Sequence, residues 1–378
     1  MIWLAVPAAA AGAYYGLACV AAAQRGAGAG GRGSGEGRAP RGISILKPVH
    51  GRDPHFYDAI QTHAGQDYPE FEILFGVSDP SDSAIEDIER LKRNFPVIPI
   101  SLHVIRTAAP NRKAGVLAEL AKRAQHPVLL INDSDIRVPQ GYLHAVAAPL
   151  EENGVGLVTC LYRAAGESTA ARWEALGIAT EFAPSVLVAR LLGVAEFAMG
   201  STMALKAATL REIGGFEAIE DYLADDYQLG AHINRKGYRI EFPPTVVETH
   251  LGAGTWSEVW RHQVRWSRTI RVSRPSGYFG YVVTHATLWA LVAFAGGQWI
   301  AGAAALALRM MAGVWIGAGV LEDENVVRRC WLIPFRDMLG FAVWVAGLFG
   351  NTVEWRGQRL QLRSDGKITP AKAQRPQE

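Results

Sequence analysis

Cysteine is scarce, with three residues in 378, at Cys19, Cys160 and Cys330. They provide neither a disulfide framework nor a zinc-binding spacing, and they favour a reducing compartment for the folded part. Net charge is nearly absent, with 38 Lys and Arg against 36 Asp and Glu, so nothing electrostatic calls for nucleic acid as a partner. There is no internal repeat, and no Gly-x-Gly-x-x-Gly follows the first strand-like run, which disfavours a dinucleotide fold of the usual kind. Charge is missing altogether from Ile2 to Ala23, a stretch of about 22 residues that is long enough to cross a bilayer core as a helix. Tyr281 to Leu321 carries only Arg309 besides a histidine, and a third apolar block, Trp331 to Thr352, is broken by Arg336 and Asp337.

These gaps in charge predict a membrane protein. The N-terminal stretch lacks the basic leader of a signal peptide and reads as an uncleaved anchor over residues 1–24. Arg25, Arg32, Arg38 and Arg41 follow it with Glu36 as the one acid, which assigns that side to the cytoplasm. A glycine-rich linker spans 25–42, membrane segments span 281–352, and a basic tail spans 353–378. Three full crossings after residue 281 would put that tail outside. The expectation is therefore that Trp331 to Thr352 is interfacial or re-entrant, with Arg336 and Asp337 near the surface.

Between the anchor and residue 255 the chain alternates. Ile43–Leu46, Phe71–Val77, Ile100–Ile105, Val128–Ile131 and Gly156–Cys160 read as strands. Helical patterns separate them at Pro54–Ala64, Ser83–Phe95, Lys113–Arg123 and Gln140–Leu150. The class is α/β, a mostly parallel sheet flanked by helices. Past Cys160 the pattern gives way to helices and loops at Arg172–Leu192, Thr209–Ile213 and Asp225–Arg235. Residues 256–275 form an amphipathic helix, with Trp256, Val259, Trp260, Trp266 and Ile270 on one face and Arg261, Arg265 and Arg268 opposite. It is expected at the membrane surface, tryptophans toward lipid and arginines toward headgroups or a phosphate.

The chemistry concentrates at strand ends. Asp133 and Asp135 emerge from the buried run Val128–Ile131, where ligands of open parallel sheets bind, and two carboxylates at i, i+2 can hold a divalent ion against a diphosphate. The same pattern is also a common turn. Asp79 follows Phe71–Val77 and is placed either to bond a nucleoside or to cap the next element. Asp225-Asp226 opens a helix, and there a carboxylate is either favourable N-terminal charge or a general base. Lys47 and Lys113 are candidate phosphate contacts, and His250 reads as structural.

Taken together, Asp79, Asp133 with Asp135, Asp226 and Arg265-Trp266 resemble, in order, the motif set of the nucleotide-sugar glycosyltransferases of GT-A fold, and within them the ceramide glucosyltransferase-like family. Ile45-Leu46-Lys47-Pro48-Val49-His50-Gly51, Asp67-Tyr68-Pro69, Asn111-Arg112-Lys113 and Gly214-Gly215-Phe216 are similar too. His262 stands where ceramide enzymes carry Gln or Arg. With Arg265-Trp266-Ser267-Arg268-Thr269-Ile270-Arg271 and Val158–Arg163, it resembles the hopanoid biosynthesis-associated glycosyltransferases of bacteria.

The resemblance implies a GT-A domain over 43–255 in a bacterial inner membrane, a UDP-sugar donor and a lipid acceptor. It implies donor contacts from Asp79, Lys113, Asp133, His262, Arg265 and Trp266, a metal (Mg2+ or Mn2+) on Asp133 and Asp135, and Asp226 as base. The implied reaction is transfer of N-acetylglucosamine from its UDP form to bacteriohopanetetrol with inversion. Ceramide glucosyl transfer, a processive polysaccharide synthase and a nucleotide-binding scaffold without turnover are the alternatives.

Overall fold

A computed structural model describes residues 2–29, 41–194 and 196–371; most of the glycine-rich linker lies outside these. The alternating region forms a seven-stranded sheet in the order β3-β2-β1-β4-β8-β6-β9. Its members are β1 (Ile43–Val49), β2 (Phe71–Val77), β3 (Ile100–Val104), β4 (Val128–Ile131), β6 (Val155–Val158), β8 (Met203–Lys206) and β9 (Arg239–Glu241). β1 lies parallel to β2 and β4, β2 to β3, and β6 to β9, while β8 runs antiparallel between β4 and β6. β2 and β4 are buried at every position, as strands covered on both faces are; the one charged residue among them, Glu72, accepts from Ser44 Oγ (2.6 Å) and Gln125 N (2.7 Å). A small second sheet joins β5 (Ile136–Arg137), β10 (Val246–His250) and β7 (Leu161–Ala165).

The expected helix Arg172–Leu192 is three pieces: helix Thr169–Gly177, a π-helical stretch Ile178–Phe182, and helix Ala183–Leu191. Pro184 lies in the first turn of the last piece and has no N–H to return to Thr180, so the ladder widens there.

Among the described residues three helices are long and apolar enough to cross a membrane, Ala5–Arg25, Trp299–Val320 and Glu324–Gly347, and the bent pair Pro275–Thr284 and Ala286–Ala295 would make a fourth. The first turns small residues inward (Ala8, Ala11, Ala18, Ala22) and Trp3, Val6, Leu17 and Val20 outward. It packs on the helix Trp299–Val314 through that small-residue face. The helix continues past the expected anchor to Ala29, and Arg25 ties it to the sheet domain by donating to the Pro243 carbonyl at 2.7 Å. Arg336 and Asp337, expected near the bilayer surface, are instead buried. Asp337 pairs with Arg309 at 2.6 Å, and Arg336 meets Gln263 at 3.0 Å and Glu181 at 3.4 Å. Protein partners therefore remove the cost on which the re-entrant expectation rested.

The helix Trp256–Ser273 opens with a capping box between Thr255 and Glu258. Its expected two-faced wheel is not observed. Gln263 and Ser267 face the Ile333–Gly347 helix, whereas His262, Arg265, Trp266 and Thr269 line one cavity. Arg268 is spent on the carbonyls of Phe349 (2.9 Å) and Thr352 (2.7 Å), and Arg271 on that of Gly350 (2.8 Å). These are carbonyls just past the last membrane helix, where a cation is favoured. Trp256 and Trp260 remain exposed, in keeping with a surface position.

The basic tail is largely folded. β11 (Thr352–Trp355), β12 (Gln358–Leu362) and β13 (Ile368–Pro370) form an antiparallel meander whose inner residues Val353, Leu360, Leu362 and Ile368 are buried against Leu223 and Val272.

Candidate active site

The turn after β4 is fixed by Asn132, whose buried amide donates to Tyr142 Oη (2.8 Å) and the Ser201 carbonyl (2.6 Å) and whose Oδ1 accepts from His63 Nε2 (3.2 Å). This network aims Asp133 and Asp135 into a cavity of about 1030 Å3. Lys113, from the first turn of the helix Arg112–Ala121, bridges Asp133 Oδ1 (2.7 Å) and Asp225 Oδ2 (3.1 Å). Gly200 holds the two key acids together, since its carbonyl accepts from Asp133 N (3.1 Å) and its N–H donates to Asp226 Oδ2 (3.0 Å). A Cβ at Gly200 would lie 2.8 Å from Asp133 Oδ2, so a larger residue there would push the Asp133 carboxylate aside. Tyr227 N donates to the other Asp226 oxygen at 2.8 Å.

Electrostatics sort these groups. Burial raises the Asp226 carboxyl to about 6, with Asp225 adding to the rise and Lys113 opposing it. Asp135 also sits at about 6, raised by burial and then by the Asp133 charge, while the Thr249 hydroxyl donating to it opposes the rise. Burial would lower Lys113, but the charges of Asp133, Asp225 and Asp226 outweigh it and hold the ammonium well above the usual lysine range. Arg265 is lowered to about 10 by burial and by the charge of Arg356. Among the described residues its guanidinium has no hydrogen-bond or ion-pair partner.

The candidate residues do not all converge. Asp133, Asp135, Asp226, Lys113, His262, Arg265 and Trp266 line the cavity together. His262 Nδ1 meets the buried Glu174 at 2.6 Å, and its ring lies 4.5 Å from that of Trp266. Asp79 is exposed just beyond β2, where it accepts from Ser81 N (2.8 Å) and Ser81 Oγ (2.6 Å). Ser78, not Asp79, lines the cavity. Lys47 is fully buried and donates to the Asp133 carbonyl at 3.0 Å. Burial lowers it to about 7, so it supports the turn from behind instead of facing a phosphate. The His250 ring packs at a tilt of 52° against that of His55, with centroids 4.6 Å apart.

Sequence reasoning missed Gly200, the apolar wall of Phe182, Val186 and Phe197, and the tail residues Trp355, Arg356 and Gln358, all of which line the same cavity. Phe182 and Val186 belong to helical pieces that pack directly on the N-terminal membrane helix and the Trp299–Val320 helix. The acidic end of the cavity is thus continuous with an apolar wall built on candidate membrane spans.

Among the described residues no three His, Cys, Asp or Glu side chains are grouped to hold a metal ion. Asp133 and Asp135 nonetheless fit one. After burial, the Asp133 charge is the next largest cause that raises the Asp135 carboxyl, so a cation between the two would be favoured, and a hard cation completes its shell with phosphate and water oxygens.

Comparison with known proteins agrees with this architecture. The chain is 29% identical over 199 residues to ceramide glucosyltransferase 1 of Caenorhabditis elegans, covering 52% of this chain and 42% of that protein. It is 22% identical over 229 residues to a poly-beta-1,6-N-acetyl-D-glucosamine synthase of Staphylococcus epidermidis, covering 60% and 54%. The matches thus span about half the length of these relatives. In fold it is similar to a mannosyltransferase from Pyrobaculum calidifontis solved in complex with GDP-Man and Mn2+, with TM-score 0.53 at 18% identity over 92% of this chain and 99% of that one. The sequence pattern described as Glycosyl transferase family 21 matches residues 4–368, and the chain belongs to that family.

Proposed function

We propose that this protein is an inverting lipid glycosyltransferase that moves N-acetylglucosamine from UDP-GlcNAc to the hydroxylated side chain of a hopanoid, bacteriohopanetetrol. It works at the cytoplasmic face of a bacterial inner membrane. The observation that carries the reading is the single cavity joining Asp133, Asp135 and Asp226 to an apolar wall borne on membrane-packed helices. A sugar-nucleotide fits the acidic end, and a lipid whose body stays in the bilayer fits the apolar one.

In this reaction Asp226 takes the proton from the acceptor hydroxyl as the oxygen attacks the anomeric carbon and the diphosphate leaves from the opposite face. A carboxyl near 6 is still ionised at neutral pH yet more basic than an ordinary aspartate. Arg265 offers a planar fork to the leaving diphosphate, and Trp266 walls the sugar. Asp133 and Asp135 would hold the divalent cation, Mg2+ or Mn2+, whose charge offsets what builds on the departing group. EDTA treatment, or Asp135→Ala, is therefore expected to cut turnover about 10²-fold or more, because several kcal/mol of charge stabilisation is withdrawn. Near-normal turnover in either case overturns the metal assignment.

The relatives favour a second reading, glucosyl transfer from UDP-glucose to ceramide; His262 in place of Gln or Arg argues for the hopanoid. Membranes bearing the protein, given labelled UDP-sugars with bacteriohopanetetrol or ceramide, should label the hopanoid from UDP-GlcNAc. Label in ceramide alone selects the second reading, and binding without label in any lipid leaves only a scaffold.

A further inference from the structure

The C-terminal meander is not needed to complete the sheet domain, yet it closes one side of the cavity. β11 and β12 are joined by two residues, Arg356 and Gly357, with φ of 48° and 75°. Positive φ at both central residues is the pattern of a type I′ hairpin turn, for which Asn, Asp or Gly is the usual first residue. An arginine in the left-handed region is uncommon and strained, so folding alone does not account for it.

Its side chain reaches away from the meander. Arg356 Nη1 donates to the His50 carbonyl at 3.0 Å and to Asp53 Oδ1 at 3.3 Å. The other Asp53 oxygen accepts from Ser134 Oγ at 2.5 Å, and Ser134 stands between Asp133 and Asp135. The hairpin tip is thus wired to the acid pair through one carboxylate. Below the tip, Arg268 holds the Thr352 carbonyl (2.7 Å), and Lys367 and Ile368 N hold Asp221 (2.9 and 2.8 Å), fixing the meander to the loop that leads into Asp225.

We propose that Arg356 is a diphosphate-binding residue of the nucleotide-sugar site, acting with Arg265 across the cavity mouth. The proposal rests on the nucleotide-sugar reading above and adds to it a residue from the C-terminal tail. Arg265 and Arg356 line one cavity, the Arg265 guanidinium has no hydrogen-bond or ion-pair partner among the described residues, and it feels the charge of Arg356. Two cations facing the same space are relieved by an anion able to meet both, and a diphosphate has the charge and the oxygens for two forks. A monophosphate reaches one of them. Arg356 remains partly exposed, at 43%, so it can exchange its contact with Asp53 for a ligand without crossing a packed core.

The test is direct binding of UDP and of UMP, with Mg2+ present, to the purified full-length protein in detergent. Wild type is expected to prefer UDP over UMP. Arg356→Gln should weaken UDP about 10-fold or more, the scale of a charge-assisted hydrogen bond, with UMP nearly unchanged, so that the preference collapses. Arg356→Lys, which keeps the charge but not the fork, should fall between. An equal loss for UDP and UMP, or unchanged UDP affinity in Arg356→Gln, overturns the proposal and leaves the nucleotide-sugar reading standing. No UDP binding by wild type overturns both.

Discussion

Asp226→Asn should slow sugar transfer about 10²-fold or more while the UDP-sugar still binds. The substitution keeps the shape of the side chain and removes its ability to take a proton. Its amide can accept from only one of the two backbone N–H groups, Gly200 and Tyr227, that now bond the carboxylate. A modest stability loss of about 1–3 kcal/mol accompanies it, so activity is to be read at a temperature where both proteins are folded. A second signature separates chemistry from structure. Burial and Asp225 raise the Asp226 carboxyl to about 6 against the pull of Lys113. The base is therefore lost as pH falls through that value, and wild-type turnover should drop at least tenfold per unit below it. The asparagine variant has no such base to protonate, so its limb should be shallower by about one power of ten per unit, leaving only what Asp135, also near 6, contributes. Loss of nucleotide binding with no separate chemical defect would instead make Asp226 a donor-site residue.

What the sequence disclosed was what local pattern can encode. Phe71–Val77, Val128–Ile131 and Asp225–Arg235 run in the structure between the very residues read from the sequence, because each is a predominantly apolar run or opens on a charged first turn. β8, β9 and β10 escaped notice. They are three to five residues long and are strands only because distant partners pair with them. Asp133, Asp135 and Asp226, which line the cavity, stood out because they lie at a strand end and a helix start and fall, in order, on the motif set the chain resembles. Gly200 was not, since its role is to let Asp133 and Asp226 approach one backbone, and no glycine announces that in sequence.

The tail was misread for a different reason. Its signal was present: Leu360 and Leu362 alternate with polar residues, and Asp365-Gly366 is a strong turn dipeptide. Counting its charges as a topology cue obscured a folded element that carries three cavity residues. The wheel of the Trp256–Ser273 helix failed because it presumes one apolar and one wet side. This helix has a cavity on one flank and a membrane helix on another.

Asp337→Ala is expected to cost about 3–5 kcal/mol of stability, the usual result of stranding one partner of a buried ion pair. Arg309 is fully buried and Asp337 nearly so, 2.6 Å apart. The carboxylate also accepts from Thr287 Oγ1 at 2.7 Å, while the Arg309 guanidinium carbon lies 4.8 Å from the Tyr15 ring centroid. One polar cluster therefore joins the N-terminal helix, Ala286–Ala295, Trp299–Val314 and Ile333–Gly347. Charges inside a bilayer are tolerated when they face a bundle interior and pair, so the cluster would let the candidate span Glu324–Gly347 lie in a bilayer beside the other candidate spans. Thermal inactivation in detergent should come at clearly lower temperature for Asp337→Ala. The double variant Arg309→Met/Asp337→Leu should recover much of the loss, because it removes the stranded charge as well. If Asp337→Ala is as stable as wild type, or the double variant is no better than the single, the pair does not hold these helices together.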